Sequence, residues 1–178
     1  NFATPTEGEA AQKKDYILYF GRYSEEKGIR TLLSVCRALP QLSFVFAGGG
    51  PLEAEVNGVP NVRNAGFQKG EALTKLIREA RFSVYPSEWY ENCPFSVMES
   101  LMCGTPVLGA NIGGIPELIR EGQTGGLFES GNRDDLQKAM LAMHERLREP
   151  NAYSQNCKRS RFDTPATYAA KLAALYRA

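Results

Sequence analysis

Histidine is nearly absent from this chain: His144 is the only one in 178 residues. Cysteine is sparse too, and Cys36, Cys93, Cys103 and Cys157 are scattered with no C-x-x-C pair. A zinc site draws on clustered Cys and His, so none is expected here. The isolated thiols argue against a disulfide framework and for a reducing compartment. Neither sign of charge is in excess, since 21 Lys and Arg face 20 Asp and Glu. Nothing in that balance favours a nucleic acid or an anionic membrane surface as partner. No apolar run approaches the length of a bilayer crossing, no signal peptide is expected, and no repeat or low-complexity tract is visible. What remains, 43% apolar and 23% charged residues, is ordinary for one soluble folded domain. Residues 1–14 are polar and read as a flexible lead or linker. Residues 15–178 read as the domain, with helices at about 151–177 closing it.

Short apolar runs alternate with amphipathic stretches about six times. Strands are expected at Tyr16–Phe20, Leu42–Ala47, Val62–Asn64, Phe82–Tyr85, Thr105–Leu108 and Thr124–Phe128. Strands this uniformly apolar are covered on both faces, so the pattern predicts an α/β fold with a parallel sheet of about six strands in three layers, Rossmann-like. Ligands of such sheets bind beyond the C-terminal strand ends. Asn132 suits the N-cap of a helix carrying Leu136, Met140, Met143 and Leu147 inward. That Met-rich face reads as core, and His144 at its edge as a surface residue. After Pro150 a basic helix over 151–161 is expected. A last helix from Thr164-Pro165 would place Tyr168, Leu172, Leu175 and Tyr176 on one face.

The stretch from Tyr85 to Pro116 holds the most chemistry. A strand stops at Pro86-Ser87, a loop follows, and a helix begins near Pro94 and ends at Cys103-Gly104. Helix amides that point above a sheet favour an anion such as phosphate. Carboxylates beside them suit hydroxyl groups instead, because one carboxylate can grip a vicinal diol with both oxygens. Glu91 and Glu99, with seven residues between them, are such a pair. Upstream, Arg22 and Lys27 flank a helix start after the first strand, a pairing suited to a diphosphate. Gly48-Gly49-Gly50-Pro51 follows the second strand, as a tight turn or as backbone brought close to a ligand. It is no Walker loop, since Lys-Ser or Lys-Thr is missing, and no G-x-G-x-x-G follows the first strand.

On these residues the chain resembles the retaining GT-B glycosyltransferases of family 4. Glu91-x7-Glu99, Pro-Ser-x-x-x-Glu and Cys-Gly-Thr-Pro-Val match that family's pattern, as do Gly-Arg-x4-Lys-Gly at 21–28 and Gly-Gly-x-x-Glu at 113–117. The resemblance covers about residues 16–177 and is to the C-terminal, donor-binding half of the GT-B fold. It implies a domain that binds a nucleotide sugar, UDP- or GDP-linked, for hexosyl transfer with retention and no required metal or other cofactor. In this reading Glu91 meets the sugar, Glu99 the ribose, and Arg22 and Lys27 the departing diphosphate. Gly21, Gly49, Cys93, Phe95 and Ser96 supply backbone around the donor. Gly66 and Phe67 line the base, with a core role for Phe67 the other possibility. Gly113 and Gly114 let their loop approach the donor, and Glu117 caps its helix. A separate N-terminal domain would supply the acceptor site, so this chain by itself is expected to transfer little. The resemblance further implies a cytoplasmic location, compatible with peripheral attachment to the inner membrane face, and polysaccharide synthesis. Where the family has Gly-Phe-Gly after the first Glu, this chain has Asn92-Cys93-Pro94, and Pro94 has no N–H to offer. A non-transferase relative such as a nucleotide-sugar epimerase, and a non-catalytic nucleotide-binding module, are the alternatives. The reading requires Lys27 and Glu91 to share one side of the molecule.

Overall fold

The structure is a computed structural model that describes residues 11–147, 151–160, 162–163 and 165–176. Six strands form one sheet: β1 Ile17–Arg22, β2 Phe44–Gly49, β3 Val62–Asn64, β4 Phe82–Tyr85, β5 Val107–Ala110 and β6 Gly125–Phe128. Their order is β3-β2-β1-β4-β5-β6, with every neighbouring pair parallel. The helices are α1 Ile29–Ala38, α2 Glu53–Asn57, α3 Gly70–Glu79, α4 Phe95–Met102, α5 Ile115–Leu118, α6 Arg133–Arg146, α7 Asn151–Lys158 and α8 Pro165–Leu175. The expected three-layer α/β architecture is present. Strand boundaries run one or two residues later than expected in β1, β2 and β5, because backbone pairing continues into the glycines and Arg22 that end the apolar runs.

Alternation along the strands divides the core in two. Ile17, Tyr19, Phe44 and Phe46 face one layer, whereas Leu18, Phe20, Val45 and Ala47 face the other. A strand buried on both faces can do this only if every position is apolar. On the first face α1 buries Ile29, Leu32, Leu33 and Cys36 and packs beside α6. On the second, α3 contributes Ile77, with Leu73 and Leu76 half-buried. The α6 N-cap is as expected: Asn132 Oδ1 accepts from the Asp134 and Asp135 amides at 3.1 and 3.0 Å. Gly104, at φ 73°, ends α4 in the left-handed conformation that a side chain would oppose.

Several peripheral expectations change. Of the lead at 1–14, residues 1–10 lie outside the described residues, but its end is anchored. Lys13 Nζ donates to Thr105 Oγ1 at 2.7 Å, and Lys14 bonds Glu79 through both backbone and side chain. Burial lowers the Lys13 amine to about 8. His144 is half-buried rather than on the open surface, with Nε2 2.8 Å from the Arg81 guanidinium and 3.5 Å from Asp15. Glu117 lies in the first turn of α5, where an acidic side chain favours the helix dipole, as expected. The proposed breaker Pro150 is outside the described residues, as are Arg161, Thr164 and Arg177 at the expected helix ends. The α8 stripe is not packed inward: Leu172, Leu175 and Tyr176 are exposed. All four cysteines are free.

Candidate active site at the switch point of the sheet

The chain builds β1, β2 and β3 outward in one direction, then returns to place β4 on the other side of β1. Loops after β1 and β4 therefore diverge and leave a crevice at their C-terminal ends, the usual ligand position in such sheets. The loop after β1 carries Lys27 in a short 3-10 turn, Glu25–Lys27. The loop after β4 carries Glu91. Across the crevice Lys27 Nζ donates to Glu91 Oε1. The two residues share one side, as the sequence reading requires.

Glu91 is held from several directions. Ser87 Oγ lies 3.2 Å from Glu91 Oε1, and the buried Tyr85 phenol is close enough to feel the Glu91 carboxylate. Burial and the adjacent carboxylate push the Tyr85 phenol above its ordinary range. From the loop after β5, the Gly114 amide donates to the Glu91 carbonyl at 2.7 Å. A Cβ on Gly114 would stand 2.0 Å from the Asn92 carbonyl oxygen, and one on Gly113, at φ 57°, 2.4 Å from that of Glu91. The close approach these glycines permit is thus to the Glu91 loop itself.

Beside this cluster, a cavity of about 320 Å³ opens at the ends of β1 and β2. Gly21 and Arg22 line it from β1, Gly49 from β2, Phe67 from the β3–α3 loop, and Ser96 and Glu99 from α4. Among the described residues neither Arg22 nor the Glu99 carboxyl has an ion-pair or side-chain hydrogen-bond partner. Glu99 stands at the cavity mouth, yet the walls around its carboxyl desolvate it and raise its pKa. An unpaired cation and an unpaired carboxylate lining one hollow can serve a ligand with an anionic part and a hydroxylated part. Phe67 is 79% exposed. The core role is therefore excluded, and its ring forms a wall of the cavity.

Five expected site residues do not line this cavity: Lys27 and Glu91 form the neighbouring cluster, and Gly66, Cys93 and Phe95 stand apart from it. Gly66, at φ 68°, spends its amide on Asn64 Oδ1 at 2.9 Å. The Cys93 thiol turns toward Met98 Sδ at 3.5 Å. Phe95 opens α4 as an exposed residue after the N-cap Pro94. Two participants carried no role in the sequence reading. Ser87 was visible only as a motif letter, and Tyr85 only as the end of an apolar strand. Gln68 and Leu73 also line the cavity. Among the described residues no group of three His, Cys, Asp or Glu side chains is arranged to hold a metal, and no helix is long and apolar enough to cross a membrane.

Known proteins share this architecture. The sulfoquinovosyl transferase SQD2 of Arabidopsis thaliana is 34% identical over 142 residues, which is 75% of this chain and 28% of that protein. The alpha-maltose-1-phosphate synthase of Mycolicibacterium smegmatis is 30% identical over 141 residues, 71% of this chain and 36% of that one. Among solved structures, Anabaena HepE in complex with UDP superposes with a TM-score of 0.79 at 20% identity, covering 93% of this chain and 50% of that one. The sucrose-phosphate synthase of Thermosynechococcus elongatus gives 0.80 at 23%, covering 92% and 45%. The structural neighbours are GT-B glycosyltransferases, and the chain spans half or less of each of these four proteins. The pattern of the glycosyl transferases group 1 matches residues 3–160, and the chain belongs to that family of sugar-transferring enzymes.

Proposed function

We propose that this chain is the donor-binding half of a retaining glycosyltransferase and holds a nucleotide sugar for hexosyl transfer. The observation that carries the proposal is the pairing of charges in one cavity: Arg22 and Glu99 both line it, and among the described residues neither side chain makes an ion pair or hydrogen bond. Arg22 suits the diphosphate and Glu99 the ribose diol. Phe67 offers its exposed face to the base. The Ser96 amide lies in the first turn of α4, where helix N–H groups lack internal acceptors and attract an anion. Lys27, on the loop after β1 that Arg22 leads into, stands beside the cavity where it meets Glu91. As the bond to the sugar breaks, negative charge grows on the diphosphate, and Lys27 and Arg22 are the groups that stabilise it. No protein nucleophile and no metal is assigned. Glu91 orients the sugar.

The acceptor site belongs to a second domain, so the isolated chain binds donor and transfers little. We place the whole enzyme in the cytoplasm, at the inner membrane face where its acceptor is membrane-borne, and in polysaccharide synthesis. Calorimetric titration with UDP, GDP and ADP tests the core of this reading. One of them should bind, and Arg22→Ala and Glu99→Ala should each weaken it roughly tenfold or more, the loss of a hydrogen bond to a charged group. Indifference to all three at millimolar concentration would falsify it.

A further inference from the structure

Ser87 is among the most deeply buried polar residues of the chain, 1% exposed, and it sits where the loop after β4 turns toward Glu91. Its Oγ has three acceptors in reach: Glu91 Oε1 at 3.2 Å, the Trp89 carbonyl at 3.2 Å and the Glu26 carbonyl at 3.4 Å. It also accepts the Trp89 amide at 3.4 Å, while its own carbonyl accepts the Ser130 hydroxyl at 2.9 Å. A hydroxyl has one proton to give, and a charged acceptor makes the stronger bond than a neutral carbonyl. Lys27 and Ser87 thus converge on the same oxygen of Glu91. The Tyr85 phenol, at the end of β4, lies near the same side chain.

Resting on the proposed donor reading, we propose that Ser87 is a positioning residue that fixes the Glu91 carboxylate for a hydroxyl of the donor sugar, seconded by the Tyr85 phenol beside it. Lys27 cannot do this alone. A donor diphosphate in the crevice competes for its ammonium, and Glu91 then loses its strongest tether at the moment it must be in place. Ser87, two residues beyond β4, and Tyr85 at its end are neutral and buried, so the arrival of an anion does not draw them away. Rotamers locked from a rigid strand are what gives a binding group its precision.

The test separates the sugar's share of affinity from the nucleotide's. The 178-residue chain is titrated with UDP and UDP-glucose, GDP and GDP-mannose, and ADP and ADP-glucose, and the pair that binds is kept. Wild type should bind the nucleotide sugar more tightly than the bare diphosphate. Ser87→Ala should cut that ratio by about tenfold, the usual loss when a bond to a charged group is removed. Its affinity for the diphosphate should stay within about twofold. Tyr85→Phe, which keeps the ring, should shift the ratio in the same direction by less. An unchanged ratio in both variants overturns the proposal, and so does an equal loss for diphosphate and nucleotide sugar, which marks a merely structural role. A wild-type chain that binds the diphosphate but gains nothing from the sugar overturns it while leaving nucleotide binding intact. A chain that binds no diphosphate removes the donor reading and this proposal together.

Discussion

Glu91 and Glu99 lie eight positions apart in sequence, and the fold treats them oppositely. Glu91 is 17% exposed and is engaged by an ammonium and the Ser87 hydroxyl, on a loop clamped by the backbone of another. Glu99 projects from the ordered helix α4, yet among the described residues nothing in the protein bonds its carboxyl. The clamped carboxylate is part of the protein's own architecture as well as its site. The unclamped one costs the protein desolvation and returns nothing until a ligand supplies hydroxyls. A carboxyl desolvated by its surroundings and given no protein partner is the more telling mark of a binding group.

The contrast is most severely tested where the clamp is made. Gly114→Ala drives a methyl against the Asn92 carbonyl, 2.0 Å away, and breaks the amide bond to the Glu91 backbone. A stability loss of about 3 kcal/mol is expected, the upper end for overpacking. Urea melts give that value directly. Nucleoside diphosphate affinity, which depends on the Arg22–Glu99 cavity, should fall much less than affinity for the nucleotide sugar.

Next in size is Glu91→Gln. It leaves Lys27, 28% exposed, with its charge unpaired. Removing one partner of a fully buried pair costs several kcal/mol, and partial exposure reduces that to about 2 kcal/mol, screened further by salt. Melting the variant at low and high ionic strength checks both statements. Smaller again is Phe67→Ala. With 79% of the residue exposed, thermal stability should not move, while diphosphate affinity should drop by about 1 kcal/mol if the ring stacks on a base. A destabilised Phe67→Ala would return that residue to the core.

Much of this arrangement was legible in the sequence because it is local. Doubly apolar strands, the Asn132 cap, the Gly104 stop and the eight-position spacing of the two glutamates each lie within one stretch of chain. Arg22 and Gly49 could be placed at strand ends, and Glu99 in the helix after the fourth strand, without coordinates, since such sheets put their loops on one rim. What was not legible depends on contacts across many residues. Nothing near Ser87 announces that its hydroxyl faces Glu91, and nothing near Gly113-Gly114 announces that they lie against Glu91 and Asn92. Lys13 read as part of a solvated lead because only the fold brings Thr105 to its amine. Phe67 had two sequence readings of equal standing, and only its exposure separates them.

The smallest predicted effect is the most diagnostic. In the folded protein burial makes Glu99 hold its proton to higher pH than in the unfolded chain. The folded form then binds more protons, so this group favours folding most at low pH. That contribution falls as pH rises through the raised pKa. At neutral pH an ionised Glu99 therefore costs stability, and Glu99→Gln should remove the cost. Because the residue stands partly open to solvent, the gain is discounted to about 0.5 kcal/mol, or a melting temperature higher by about 1 °C. The gap between variant and wild type should close as pH falls below the ordinary carboxylate range, because both side chains are then neutral. The same substitution should still weaken nucleoside diphosphate binding roughly tenfold, since a primary amide replaces one of the two oxygens that grip the ribose diol. A change that makes the protein firmer and its site poorer identifies a group held for its ligand. A Glu99→Gln variant that melts lower and binds normally would make Glu99 an ordinary structural residue and leave Glu91 as the single functional carboxylate of the pair.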